Sequence, residues 1–150
     1  MNYTIKPLKT AADSEAYHKI RITQIHNRYC PDLLYDYDDP EEKQSTSFPR
    51  VLKRAGTDEV LGVIRIDLLP DNEASFRWIA IKPAYVRQGL GTIMVKLAEE
   101  FVQSHKRAVI RIPATHQSLG FAKHLGYVEE PWDLMPKEDC MVAVSKRFNH

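Results

Sequence analysis

The sequence predicts an α/β fold, a mixed central sheet flanked by helices, and three observations carry that prediction. Strand-like and helix-like apolar periods alternate along the chain. A strand pattern over Ala74 to Ile81 leads through a glycine-bearing turn into an amphipathic helix pattern. The chain has 150 residues, 43% hydrophobic and 27% charged, which fits one globular domain spanning residues 1–150.

The elements follow in order. Tyr3 to Leu8 alternates like a strand, and Thr10 with Asp13 has the spacing of a capping box ahead of a helix running towards Asn27. The acidic, proline-punctuated stretch from Pro31 to Glu42 reads as a loop. Arg50 to Arg54 and Val60 to Leu69 read as strands joined through Ala55-Gly56-Thr57-Asp58. In the second, Ile64, Ile66 and Leu68 alternate with Arg65 and Asp67, giving one buried and one polar face. The turn Pro70-Asp71-Asn72-Glu73 opens the next strand, on which Trp78 falls opposite Ser75, Arg77 and Ile79 and so points into core under a helix. From Gly89 to about Ser104, Leu90, Ile93, Met94, Leu97, Ala98, Phe101 and Val102 recur at helical spacing. A strand at Ala108 to Ile112, a helix from about His116 to Leu125 and a strand at Cys140 to Ser145 complete the order β-α-β-β-β-α-β-α-β.

Chemistry concentrates in Val86-Arg87-Gln88-Gly89-Leu90-Gly91-Thr92. A turn of this kind at a helix N-terminus aims unpaired backbone N–H groups and the positive end of the helix dipole at one point, which suits a diphosphate. Glycine lets such a group approach the backbone without interference from a Cβ. A G-x-G alone is weak, and the longer dinucleotide and P-loop fingerprints are absent.

With its context the turn becomes specific. A strand ending in Ile79-Ala80-Ile81-Lys82-Pro83, then Tyr85, then Gln88-Gly89-Leu90-Gly91-Thr92, resembles the acyl-CoA signature of the GNAT superfamily of N-acetyltransferases. Ser118-Leu119-Gly120-Phe121-Ala122-Lys123-His124-Leu125-Gly126-Tyr127 resembles that superfamily's last strand–helix unit. Cys30-Pro31, Tyr35-Asp36-Tyr37-Asp38 and the tail after Gly126 resemble a small bacterial ElaA-type branch. The resemblance implies acetyl-CoA (coenzyme A) as cofactor. Backbone groups of Ile79, Ala80 and Ile81 would meet its pantetheine arm and thioester, and Arg87, Gln88, Gly89, Leu90, Gly91 and Thr92 its pyrophosphate. The superfamily carries Gln or Arg three residues before the first glycine; this chain has Val86, with Arg87 and Gln88 beside it.

The implied reaction moves an acetyl group to a primary amine of a small molecule or peptide by direct attack in a ternary complex, without a metal. Relatives use a Glu on the strand before the cradle as base; of Glu73, Ser75 and Arg77 only Glu73 is a carboxylate, and it also fits a solvated turn residue. Relatives place a Tyr hydroxyl where this chain has Ala122. His116, near the N-terminus of the last helix, is preferred over His124 as a substitute acid or base. Ala122 keeps open an alternative, a non-catalytic acyl-CoA sensor or interaction module.

Other classes fit less well. A formal net charge of +1, with dense basic pairs only at Lys106-Arg107 and Lys146-Arg147, argues against nucleic acid. No apolar run approaches membrane length and the N-terminus lacks a signal-peptide core, so a cytoplasmic location is the default. Cys30 and Cys140 read as two reduced thiols. Asp36, Asp38, Asp39, Glu41 and Glu42 could line a mouth that attracts a cationic amine or form a solvated run, Trp132 is a candidate substrate-side or dimer-contact aromatic, and a homodimer through the last strands is compatible with the pattern.

Overall fold

The computed structural model describes residues 2–136 and 140–148. Among the described residues, seven strands form one sheet in the order β1-β2-β3-β4-β5-β7-β6. They are β1 (Tyr3–Lys6), β2 (Ser47–Arg54), β3 (Gly62–Leu68), β4 (Glu73–Ile81), β5 (Val109–Thr115), β6 (Val128–Glu129) and β7 (Met141–Arg147). Every neighbouring pair is antiparallel except β4 and β5, which are parallel. The sequence pattern gives six of these strands. The seventh, β6, has two exposed residues and therefore no periodicity to read.

The helices are α1 (Ala11–Arg21), α2 (Asn27–Tyr29), α3 (Leu90–Ser104) and α4 (Leu119–His124). The Thr10 side chain caps α1 by accepting from the Asp13 amide at 3.0 Å, as the sequence predicts. The expected single helix to Asn27 is instead interrupted by a π-helical turn, Ile22–His26. Thr23 and two β-branched isoleucines occupy that turn, and the Thr23 hydroxyl donates to the Lys19 carbonyl at 2.9 Å, a back-bond that loosens the α-helical ladder.

Two cores sandwich the sheet. On one face, Leu90, Met94, Val95, Ala98 and Val102 of α3 pack with Ala122 of α4 against Ile64, Ile66, Phe76 and Ile110. On the other, Tyr17, Ile20 and Ile25 cover Val51, Val63, Trp78 and Ala80. One polar link fixes the first core: the Tyr127 hydroxyl donates to Glu99 Oε2 at 2.8 Å, and Lys146 Nζ reaches the same oxygen at 3.2 Å. Burial first, then Glu99, pushes the Tyr127 phenol above its ordinary pKa, so it stays a donor. Tyr127→Phe leaves a buried carboxylate short of a donor and is expected to cost about 1–2 kcal/mol in chemical denaturation.

Candidate active site

The site begins where β4 and β5 part. They pair at Glu73↔Val109, Ala74↔Ile110 and Ser75↔Arg111, whereas β5 continues against β7 as far as Thr115↔Met141. A bulge in β4 coincides with this divergence. Val63 faces Ala80 while Arg65 faces Arg77, so Ile64 alone spans both Trp78 and Ile79. An extra residue of this kind bends and twists its strand. Trp78 absorbs the distortion at φ +57°, a region costly for a bulky residue. Its ring is held by the Arg77 and Arg21 guanidinium carbons, 4.4 Å and 5.0 Å from its centroid, and by the His26 ring at 4.9 Å.

Trp78 points into core under a helix and away from Ile79, as expected, but the bulge corrects its facing relative to Arg77. Strict alternation puts it opposite Arg77, but the inserted residue turns it to the α1 face beside Arg77, while Ile79 and Ile81 pack toward α3. The diverging strands enclose a cleft of about 730 Å³.

The cleft has polar edges of distinct kinds. The Lys82 amide donates to the Leu61 carbonyl at 2.8 Å, so the peptide groups of Ile81, and of Ile79 two residues earlier, turn away from β3 into the opening. Across from them, α3 starts at Gly89 (φ +77°), following Arg87 (φ +65°), and no side chain caps it. The Ile93 amide is bonded to the Gly89 carbonyl at 3.2 Å, which leaves the amides of Leu90, Gly91 and Thr92 without helical acceptors. A fifteen-residue helix thus presents bare N–H groups and its positive dipole end to the cleft. Gly91 packs so tightly on α4 that a Cβ there would lie 3.2 Å from Phe121 Cζ.

Of the residues expected to bind cofactor, Ile79, Ala80, Ile81, Arg87, Gly89, Leu90, Gly91 and Thr92 line this cleft; Gln88 is exposed and does not. Ala122, the position without a hydroxyl, lies in the wall, as do Thr115 and Ser118. Neither residue expected to do acid–base work lines it. Glu73 sits at the closed end of the strand pair, roughly 20 Å along β4 from Ile79 at ~3.3 Å per residue, and is ion-paired to Arg111 at 3.0 Å. His116 is exposed on the turn between β5 and α4. Trp132 is half-buried outside the lining.

The acidic loop lies over the α1 face of the sheet. Arg65, 1% exposed, bonds Asp67 at 2.8 Å, Glu41 at 3.2 Å and Asp39 at 3.4 Å, and Glu42 pairs with Arg21 at 2.5 Å. Burial opposes the Arg65 charge, but Asp67 and the glutamates outweigh it and raise its pKa. Asp39, Glu41 and Glu42 therefore anchor the loop and do not line the cleft mouth, and the expected polar face of β3 is buried.

Sequence reasoning missed the wall opposite α3. Gln24, Arg28 and Tyr29 line the cleft from the end of the first helical segment. The four-residue spacing of Gln24 and Arg28 was the available signal, but it also describes any solvated helix face. The next residue, Cys30, is disulfide-bonded to Cys140 immediately before cleft-lining Met141, which corrects the expectation of two reduced thiols. Among the described residues, no cluster of His, Cys, Asp and Glu could hold a metal ion, and no helix is long and apolar enough to cross a membrane.

Residues 15–127 match the model of the acetyltransferase (GNAT) family. The chain belongs to that family. As a GNAT protein it is an acyltransferase that uses acetyl-CoA. Its fold is shared with Tetrahymena GCN5 (TM-score 0.76, 13% identity, 99% of this chain and 97% of that one). It is shared too with the PaiA N-acetyltransferase of Thermoplasma acidophilum, solved in complex with coenzyme A (TM-score 0.70, 17% identity, 99% and 100%). A third likeness is to the ribosomal-protein-S18-alanine N-acetyltransferase of Escherichia coli (TM-score 0.68, 18% identity, 96% and 91%). No curated protein sequence matches the chain. The cradle fits the cofactor's diphosphate, because the bare amides of Leu90 to Thr92 and Arg87 supply donors and positive charge without a side-chain carboxylate among the described lining residues.

Proposed function

We propose that this single GNAT domain transfers an acetyl group from acetyl-CoA to a primary amine of a small molecule or peptide, by direct attack in a ternary complex. The observation that carries the reading is the splay of β4 from β5 opening onto the uncapped start of α3. When bound, acetyl-CoA supplies an activated carbonyl and a thiol leaving group. The amides of Leu90, Gly91 and Thr92 and the Arg87 guanidinium would hold the diphosphate, and the inward peptide groups of Ile79 and Ile81 would orient the arm, their N–H groups being the donors that would polarise the carbonyl. Direct attack is favoured because both cysteines are tied in the disulfide and neither offers a thiolate nucleophile.

An alkylammonium with a pKa near ~10.4 is only about one part in 2,500 neutral at pH 7, a cost of roughly 5 kcal/mol. No carboxylate or imidazole lines the cleft among the described residues, so the apolar wall of Ile25, Tyr29 and Trp78 does the work by desolvating the ammonium and lowering its pKa. Glu73 then acts as a strut through Arg111 and does not take the proton. The expected outcome is that kcat/KM rises about tenfold per unit from about pH 6 to about pH 8, with Glu73→Gln and His116→Ala keeping the same slope and kcat within about threefold. A plateau above about pH 7 that disappears in one variant would identify that residue as the base.

The first experiment is thermal unfolding with and without acetyl-CoA, with NADH as control. At one hundred times the dissociation constant, binding adds about 2.7 kcal/mol, or about 5–10 °C. A shift specific to acetyl-CoA, followed by amine-dependent release of CoA, supports the reading; no shift overturns it.

A further inference from the structure

Arg28 is the cation on the acceptor-side wall, and it is held there from the sheet. Its Nη1 donates to Gln24 Oε1 at 3.3 Å, and Gln24 Nε2 donates to the Ile81 carbonyl at 3.0 Å. The guanidinium is thereby linked through one side-chain amide to the edge of β4 that faces the cleft. Its carbon lies 5.3 Å from the centroid of the Tyr29 ring, which stacks it on a second lining residue. Among the described residues Arg28 makes no ion pair, in contrast to Arg21 and Arg65 deeper on the same face, which are paired with Glu42 and with Asp67 and Glu41. An oriented guanidinium without a counter-charge at a cleft mouth is a carboxylate reader, because its planar fork matches two carboxylate oxygens and it stays charged at every working pH.

We propose that the acceptor is a small amine that also carries a carboxylate, bound through Arg28 while its nitrogen points toward the β4 bulge. The proposal rests on the acetyltransferase reading above and narrows its substrate class, away from the polyamines that an acidic mouth would select. The same guanidinium chemistry would suit a phosphate of the cofactor, and the test separates the two.

Amino acids are compared with their decarboxylated counterparts, lysine against cadaverine and phenylalanine against phenethylamine, by CoA release in the native protein, Arg28→Ala and Arg28→Lys. The expected result is about a 10- to 100-fold preference in kcat/KM for the carboxylated member, from one charge-assisted contact. Arg28→Ala removes the preference through the acceptor KM and leaves the acetyl-CoA KM within twofold; Arg28→Lys restores part of it. A loss confined to the acetyl-CoA KM assigns Arg28 to the cofactor and overturns the proposal, as does equal use of both members of each pair. Thermal shift of the CoA-loaded protein with each amine gives the same comparison independently of turnover: no difference between members overturns it there too. Failure of acetyl-CoA itself to shift unfolding defeats the underlying reading instead. Arg28 is exposed, so Arg28→Ala should unfold at the native temperature.

Discussion

Gly91→Leu is expected to raise the dissociation constant for coenzyme A at least about 100-fold, the equivalent of losing two charge-assisted amide contacts. The cause is space. A Cβ at Gly91 already meets Phe121 Cζ at 3.2 Å, and the remaining side-chain atoms must enter the cleft beside the free amides of Gly91 and Thr92. Gly89 answers to a different constraint. Nothing lies within 4 Å of a Cβ there, but its φ is +77°. Gly89→Ala is therefore expected to cost about 1–2 kcal/mol of stability through left-handed strain, with Gly89→Asn milder. Calorimetric titration with coenzyme A alongside thermal melts separates the two effects, and native affinity in Gly91→Leu would remove the cradle from this loop.

Arg65→Met should be the most damaging single change away from the cleft. Arg65 is enclosed, with four carboxylates converging on it, and the substitution leaves Asp67, itself largely buried, without its counter-charge, while Glu42 keeps Arg21. Breaking a buried charge cluster from one side typically costs about 3–5 kcal/mol, which at this size corresponds to a fall in melting temperature of about 6–20 °C. Hydrogen exchange should show the acidic loop losing protection first, since Asp39, Glu41 and Glu42 are its anchors. A melting temperature within about 2 °C of native would mean that solvent, and not Arg65, neutralises these acids.

The course of the chain through β3, β4, α3 and β5 was legible because each of these elements has a period of its own and the cradle turn has a local chemistry. What escaped depends on partners distant in sequence. The bulge at Trp78 is defined by the register of β4 against β3, so alternation along β4 alone put the ring in core under a helix and opposite Ile79, as found, but wrongly opposite Arg77. Arg65 read as solvent-facing because the loop that covers it lies more than twenty residues away. Cys30 and Cys140 are 110 residues apart, and only the folded chain brings their Cα atoms to 5.6 Å. Gln24 and Arg28 show a helical spacing, but that they face a cleft follows from the position of Ile81, which no local pattern encodes.

The disulfide has a practical consequence for following this enzyme. The chain contains two cysteines and both are bonded to each other, so a thiol-reactive dye should find nothing on the oxidised protein. Each mole of colour that develops during turnover then counts one mole of released CoA, without a protein blank. Storage under dithiothreitol forfeits that advantage, adding two protein thiols per chain to the background and unfastening the segment that carries Arg28 and Tyr29 from the one that carries Met141. Acceptor preferences recorded with and without reductant would thus belong to two differently tethered forms of one active site.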